Sequence, residues 1–140
     1  MVVPSALRDQ IVKIHDMTMI CTPRVSQIAA CAALEGPQVH LREFERVLAG
    51  RRSLICDRLD RLSHVFSYVR PQGAYYVFPK ILEECDDVAF AHRLLDDALV
   101  TVTPGSAFGP SGANHVRMAY CVDDDVIEAS FDRLEKYFGL

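Results

Sequence analysis

Two groups of residues in the second half of this 140-residue chain could do chemistry. The first is Arg117, which interrupts the otherwise apolar run from His115 to Tyr120. A guanidinium on a half-buried strand needs an anion to offset its desolvation, and that anion is either a protein carboxylate or a ligand. Arginine suits the second role through its permanent charge and its planar fork of donors, which matches a carboxylate. The other group is the loop Thr103 to Gly109, TPGSAFG. Gly105 and Gly109 allow backbone geometry closed to other residues, Ser106 offers a donor and Phe108 a wall. The plain alternative is a turn that joins two strands. No G-x-G-x-x-G and no P-loop lysine accompanies this loop, so phosphate chemistry is not its expected use.

Other chemistries find less support. Ser106, His115 and an aspartate would make a hydrolase triad only with a geometry that spacing does not supply, and no serine stands in a G-x-S-x-G elbow. The five histidines are scattered, no H-E-x-x-H occurs, and no metal is expected. Five cysteines, Cys21, Cys31, Cys56, Cys85 and Cys121, are odd in number and lack C-x-x-C spacing, which predicts neither a disulfide framework nor a zinc site. Cys31 and Cys121 lie among apolar neighbours and read as small buried hydrophobes, a usage that fits a reducing cytoplasm. With a net charge of -4, and with Glu43, Glu45, Asp57 and Asp60 interleaved among the arginines between Arg42 and Arg61, that stretch reads as a self-paired helix face. Nucleic acid is not an expected partner, nor is a membrane, because no apolar run approaches a span.

The elements that must position Arg117 and the loop follow from periodicity. Pro4-Ser5 reads as a helix start with Ser5 as cap, and Leu7, Ile11 and Ile14 form an apolar stripe. Ser26 to Leu34 is rich in small residues, predicts a closely packed helix, and ends at Gly36-Pro37. A long helix runs from His40 to about Leu62, with Leu41, Phe44, Val47, Leu48, Ile55, Leu59 and Leu62 on one stripe and Gly50 as a place for a kink. From Val65 the pattern alternates. Val65 to Val69 and Ala74 to Phe78 flank Arg70-Pro71-Gln72-Gly73 and are expected to pair as a hairpin. Asp86-Asp87 opens a helix with Val88, Ala91, Leu94, Leu95 and Ala98 inward; Val100 to Val102 and Val116 to Tyr120 are strands. Asp123-Asp124-Asp125 caps a last helix carrying Ile127, Phe131, Leu134 and Phe138 on one face. The order predicts an α/β chain of the α+β type: a helical N-terminal third, then a small sheet with helices packed on it.

Four pieces of the chain, in order, resemble the C-terminal part of the class I/II aminotransferases, the fold-type I pyridoxal-phosphate enzymes. They are Gln10-Ile11-Val12-Lys13-Ile14-His15-Asp16; Ser26-Gln27-Ile28-Ala29-Ala30 with Ala33-Leu34-Glu35-Gly36-Pro37; Pro71 to Pro79, PQGAYYVFP; and Pro104 to Gly109 followed by Val116 to Tyr120. The resemblance, closest to aspartate aminotransferase-like members, implies an aminotransferase small domain over residues 39–140. Residues 1–38 would be the end of the large domain with interface helices. It implies that Arg117 grips the α-carboxylate of an amino-acid or 2-oxo-acid substrate, and that Gly105, Ser106 and Phe108 belong to a loop at the active-site mouth. Arg24 departs from the commoner threonine of a loop that approaches the partner subunit's site.

The cofactor of that family, pyridoxal 5'-phosphate, forms its Schiff base with a lysine in a Ser-Lys segment followed by Gly-x-Arg-x-Gly and a strand. Met1-Val2-Val3-Pro4 resembles the tail of that strand, so the lysine is expected before the first residue. Lys13, Lys80 and Lys136 stand in no such segment. The resemblance therefore implies a truncated transferase that supplies the carboxylate clamp, has no residue expected to hold the cofactor covalently, and does not transaminate by itself. It would be a cytoplasmic homodimer or dock to a large-domain chain. The alternative is a stand-alone, non-catalytic α/β module for oligomerisation or small-carboxylate binding.

Overall fold

A computed structural model describes residues 3–140. Of the strand tail expected at Met1 to Pro4, Met1 and Val2 lie outside the described residues, and Val3 and Pro4 are not in a strand. The chain divides into two compact units, one ending at His40 and one running from Leu41 to Leu140.

The first unit is helical. A 3-10 turn at Ser5–Leu7 leads into α1 (Arg8–Thr18), and α2 (Arg24–Glu35) follows. Pro4, not Ser5, occupies the cap position of the 3-10 turn, and no side chain caps it. Pro23 opens α2 with a fixed φ that suits a helix start, and Gln27 closes the turn by donating to the Thr22 carbonyl at 2.7 Å. Neither helix has a buried residue, so the apolar stripe on α1 and the small residues of α2 are exposed. Cys31 is exposed with them, against the expectation of burial, and Cys121 is exposed in the second unit.

The helix α3 (Val39–Arg61) begins in the first unit and runs unbroken through Gly50. Its predicted stripe is only half used. Ile55, Cys56 and Leu59 are buried, whereas Leu41 and Phe44 are exposed. The sheet of the second unit is made of very short strands: β1 (Phe66–Ser67), β2 (Tyr76–Val77), β3 (Lys80–Ile81), β4 (Thr103–Pro104) and β5 (Val116–Ala119). They pair as β1-β3 and as β2-β5-β4, all antiparallel.

The expected hairpin does not form. β1 pairs with β3 through Phe66↔Ile81, and β2 pairs with β5 through Val77↔Met118. All four of these side chains are buried, so the long-range pairing that stacks apolar faces wins over the local turn. The strand expected at Val100 to Val102 lies instead at Thr103–Pro104, where Pro104 is tolerated because β4 is an edge.

Two helices cover the sheet. α4 (Asp87–Ala98) is capped by Asp86, whose carboxylate accepts from the Val88 and Ala89 N–H groups at 2.8 and 3.1 Å. Its inner face is Asp87, Phe90, Ala91, Leu94 and Ala98, so Val88 and Leu95 point outward, contrary to expectation. It ends at Leu99 in the left-handed region (φ 57), a place where no glycine marks the stop. The last helix, α5 (Asp124–Tyr137), buries Ile127, Phe131 and Leu134 as its pattern predicts.

The arginines of α3 are not self-paired as a group. Arg46 does meet Glu43 within the helix, but Arg51 pairs with Asp123 and Asp124, and Arg58 reaches Glu128, Asp132 and Glu135 on α5. Asp123 is therefore at the cap position of α5 without capping it, because its carboxylate is taken by Arg51. The Arg58 side chain is 11% exposed and Glu135 also takes Arg61 at 2.8 Å, so this is a partly desolvated network rather than a solvated face. Breaking it strands charge. Arg58→Ala is expected to lower stability by about 3 kcal/mol, read from the urea midpoint. Gly50→Ala adds a side chain where nothing lies within 4 Å and is expected to stabilise by about 0.5–1 kcal/mol in the same assay.

Candidate functional site

The outward face of the second unit's three-stranded sheet holds the sequence-predicted residues. In β5, Val116 and Met118 point into the core and Arg117 points out, as strand alternation requires. Arg117 sits opposite Thr103 of the edge strand β4. Its guanidinium carbon lies 4.3 Å from the centre of the Tyr76 ring and 4.6 Å from that of Phe108. Two aromatic faces thus hold one planar cation, each such contact contributing roughly 0.5–2 kcal/mol. Among the described residues Arg117 makes no ion pair, so of the two anions its sequence allowed, no protein carboxylate is the one supplied.

The aromatic set extends from there. Phe78 meets Phe108 edge to face with ring centres 6.0 Å apart and stacks on His115 at 5.1 Å with planes 9° apart. His115 turns Nδ1 to the Ala113 carbonyl at 2.7 Å. Beside Arg117, Tyr75 packs on Tyr76 with ring centres 4.6 Å apart, and the phenol of Tyr75 is raised above its ordinary range chiefly by the neighbouring Tyr76. On the other side of Tyr76 and Phe78 opens a cleft of about 600 Å³ lined also by Ser67, Tyr68, Lys80 and His115.

Phe108 is 51% exposed and sits where it does because of how its loop folds. Residues Gly105–Phe108 form a 3-10 turn and Pro110–Gly112 a second one. The loop doubles back so tightly that Gly105 and Gly112 touch backbone to backbone. A Cβ on Gly105 would lie 2.2 Å from the Gly112 carbonyl oxygen, and a Cβ on Gly112 would lie 2.0 Å from that of Gly105. Gly105 is thus required for space, while Gly109, at φ 109, is required for conformation. The Gly105 N–H donates to the His115 carbonyl at 2.8 Å and closes the loop onto β5.

Ser106 is used inside the fold. Its N–H and hydroxyl both donate to the Asp87 carboxylate, at 2.6 and 2.8 Å. Asp87 is only 5% exposed, so these two bonds satisfy a buried charge and pin the loop to the start of α4. The serine does not meet a histidine, and no triad forms. Sequence reading missed Asp87 in this role, having placed it as a favourable charge at a helix end. It also missed Tyr76 and Phe78 as neighbours of Arg117; the alternation of Tyr76 and Phe78 about buried Val77 was the available signal.

Of the lysines, Lys80 lines the open cleft beside Tyr76 and Phe78. Lys13, Lys80 and Lys136 are exposed, and none is enclosed with groups that would hold the phosphate and ring of an aldehyde cofactor. These residues do not fit covalent attachment of pyridoxal phosphate. Arg24 is exposed at the start of α2, in the first unit. Among the described residues no group of three or more histidines, cysteines or carboxylates could hold a metal, and no helix is long and apolar enough to cross a membrane.

Comparison with known proteins agrees on one family. The family model described as aminotransferase class I and II matches residues 1–134. An aminotransferase of Bacillus subtilis is 33% identical over 135 residues, which are 96% of this chain and 34% of that protein. The aspartate aminotransferase of Pyrococcus abyssi is 33% identical over 136 residues, 95% of this chain and 34% of its own length. The crystal structure of an aromatic aminotransferase from Pyrococcus horikoshii superposes with a TM-score of 0.86 at 30% identity, covering 98% of this chain and 37% of that one. The chain spans about a third of the length of the curated relatives it matches.

The glycine contact that sets Phe108 over Arg117 can be tested directly. Gly112→Ala is expected to cost about 1–3 kcal/mol of stability. Loss of the Phe108 ring-current shift at the Arg117 side chain, read by NMR, should accompany it.

Proposed function

Because this chain belongs to the class I and II aminotransferases, we propose that it is the substrate-clamping portion of a pyridoxal-phosphate enzyme that moves an amino group between an amino acid and a 2-oxo acid. One observation supports this reading above the others: a half-exposed guanidinium that meets the rings of Tyr76 and Phe108 and has no carboxylate partner among the described residues. Such a group is preorganised. Its plane is fixed by two rings before any ligand arrives, so little rotamer freedom is lost when a carboxylate takes both of its outward donors. The rings also exclude water from part of the guanidinium, which strengthens a charge-assisted pair.

The division of labour in this reading follows from what the residues can do. Arg117 binds and orients the α-carboxylate; Phe108, held by Gly105 and Ser106, covers one face of it. Pyridoxal phosphate supplies the electron sink of the family's reaction, and the lysine that would hold it belongs to residues outside these 140. Residues 39–140 act as the small domain, and residues 1–38 supply interface helices whose exposed apolar side chains suit a homodimer or a separate large-domain chain. The cysteine usage suits the cytoplasm.

The experiment is a titration of the chain with 2-oxoglutarate as a probe 2-oxo acid, followed at the Arg117 Nε–H and at the Tyr76 and Phe108 rings. Saturable shifts confined to these groups are expected. Arg117→Lys keeps the charge but loses the fork, and should weaken binding about tenfold or more. Unchanged binding in that variant would remove Arg117 as the clamp. With pyridoxal phosphate followed by borohydride, no single lysine should be labelled; one specific adduct on Lys13, Lys80 or Lys136, accompanied by transamination, would instead make this chain a complete catalyst.

A further inference from the structure

A second cationic site lies where α3 passes the loop between β1 and β2. Arg52, Arg70, Pro71 and Gln72 line a cleft of about 390 Å³. A smaller space of about 250 Å³ adjoins it and shares Arg52 and Gln72, with Glu45, Gly73 and Tyr120 among its other walls. Arg52 is half-buried. Along the same helix Arg46, Arg51, Arg58 and Arg61 each meet a carboxylate, whereas Arg52 makes no ion pair among the described residues, with Glu45 or with any other acid. Arg70 is exposed; it donates to the Ser53 hydroxyl at 3.3 Å, which carries no charge, and makes no ion pair among the described residues.

Two guanidiniums, one half-buried and one exposed, thus open into one cleft with no ion pair to either among the described residues. The chain has a net charge of -4, yet among the described residues no acid lines the cleft itself, and Glu45 in the wall of the adjoining space does not pair with Arg52. The neutral amide of Gln72 adds donors to the same cleft. We propose that this cleft binds a phosphate-type dianion, with Arg52 and Arg70 as paired forks and Gln72 as a third donor. Phosphate suits it better than a dicarboxylate because its oxygens lie around one atom, where donors from three side chains can converge on them. The volume exceeds what one phosphate group fills and leaves space for an organic remainder, so the ligand class is a phosphate monoester. This site is separate from Arg117 and does not rest on the aminotransferase reading.

The test is an NMR titration of the 140-residue chain at constant ionic strength, with inorganic phosphate, glycerol 3-phosphate and succinate as probes. Saturable shifts at the Arg52 and Arg70 Nε–H and the Gln72 side-chain amide are expected, with glycerol 3-phosphate tighter than phosphate and succinate weakest. Arg52→Gln and Arg70→Gln should each weaken phosphate binding on the order of tenfold, while Arg46→Gln, whose partner Glu43 lies outside the cleft, should leave it unchanged. The amide spectrum of each variant reports whether it is folded. Shifts that fail to saturate, or that appear equally at Arg46, would show ionic atmosphere only and overturn the site. Succinate binding as tightly as phosphate would overturn the ligand class, and inorganic phosphate binding as tightly as glycerol 3-phosphate would overturn the ester.

Discussion

Gly105 and Gly112 meet backbone to backbone, and the geometry of the candidate site depends on that contact. With no Cβ on either residue, the loop after β4 can fold flat on itself, and the His115 carbonyl can take the Gly105 N–H. The fold-back carries Phe108 over the outward face of β5 and leaves Ser106 facing Asp87. A buried carboxylate is costly unless its oxygens are satisfied, and the two donations from Ser106 do this while anchoring the loop to α4. Steric closeness at one end of the loop and charge satisfaction at the other thus fix an exposed aromatic ring that has little packing of its own.

The same comparison of paired and unpaired charge organises the rest of the second unit. Where α3 faces α5, every exposed or half-buried guanidinium from Arg51 onward on that face has carboxylates across from it, and the two helices are tied by Arg51, Arg58 and Arg61. Arg117 differs in environment. Its neighbours are rings, which stabilise a cation without neutralising it and so leave its affinity for an anion intact. A fold that spends acids freely on α5 and none on β5 separates the charges that hold it together from the charge that remains able to bind.

How much of this could be read from the sequence depended on the range of the interaction. Helices α3, α4 and α5 followed from apolar spacing, and β5 from alternation, because those signals lie within one element. Strand partners did not follow. The Pro71 to Gly73 turn suggested a hairpin on local grounds, but burial of Phe66 with Ile81 and of Val77 with Met118 decided the pairing over larger separations. Arg117 stood out as a charge in an apolar run, while the rings that hold it come from β2 and from the loop after β4, 41 residues and nine residues away in sequence. Ser106 was legible as a polar residue in a glycine loop, yet its partner Asp87 was not, since an acid at a helix start has a sufficient local explanation.

The two halves of α3 use the same apolar spacing differently. From Ile55 onward the apolar stripe is buried within the second unit, and the ion pairs to α5 flank it. Before Leu48 the same stripe continues in sequence with Leu41 and Phe44, but their side chains are exposed, as are those of Ile14, Met17, Ile28 and Leu34 on the first two helices. Single exposed hydrophobes are ordinary on protein surfaces; a helical segment that buries none of its residues while keeping helical apolar spacing is not.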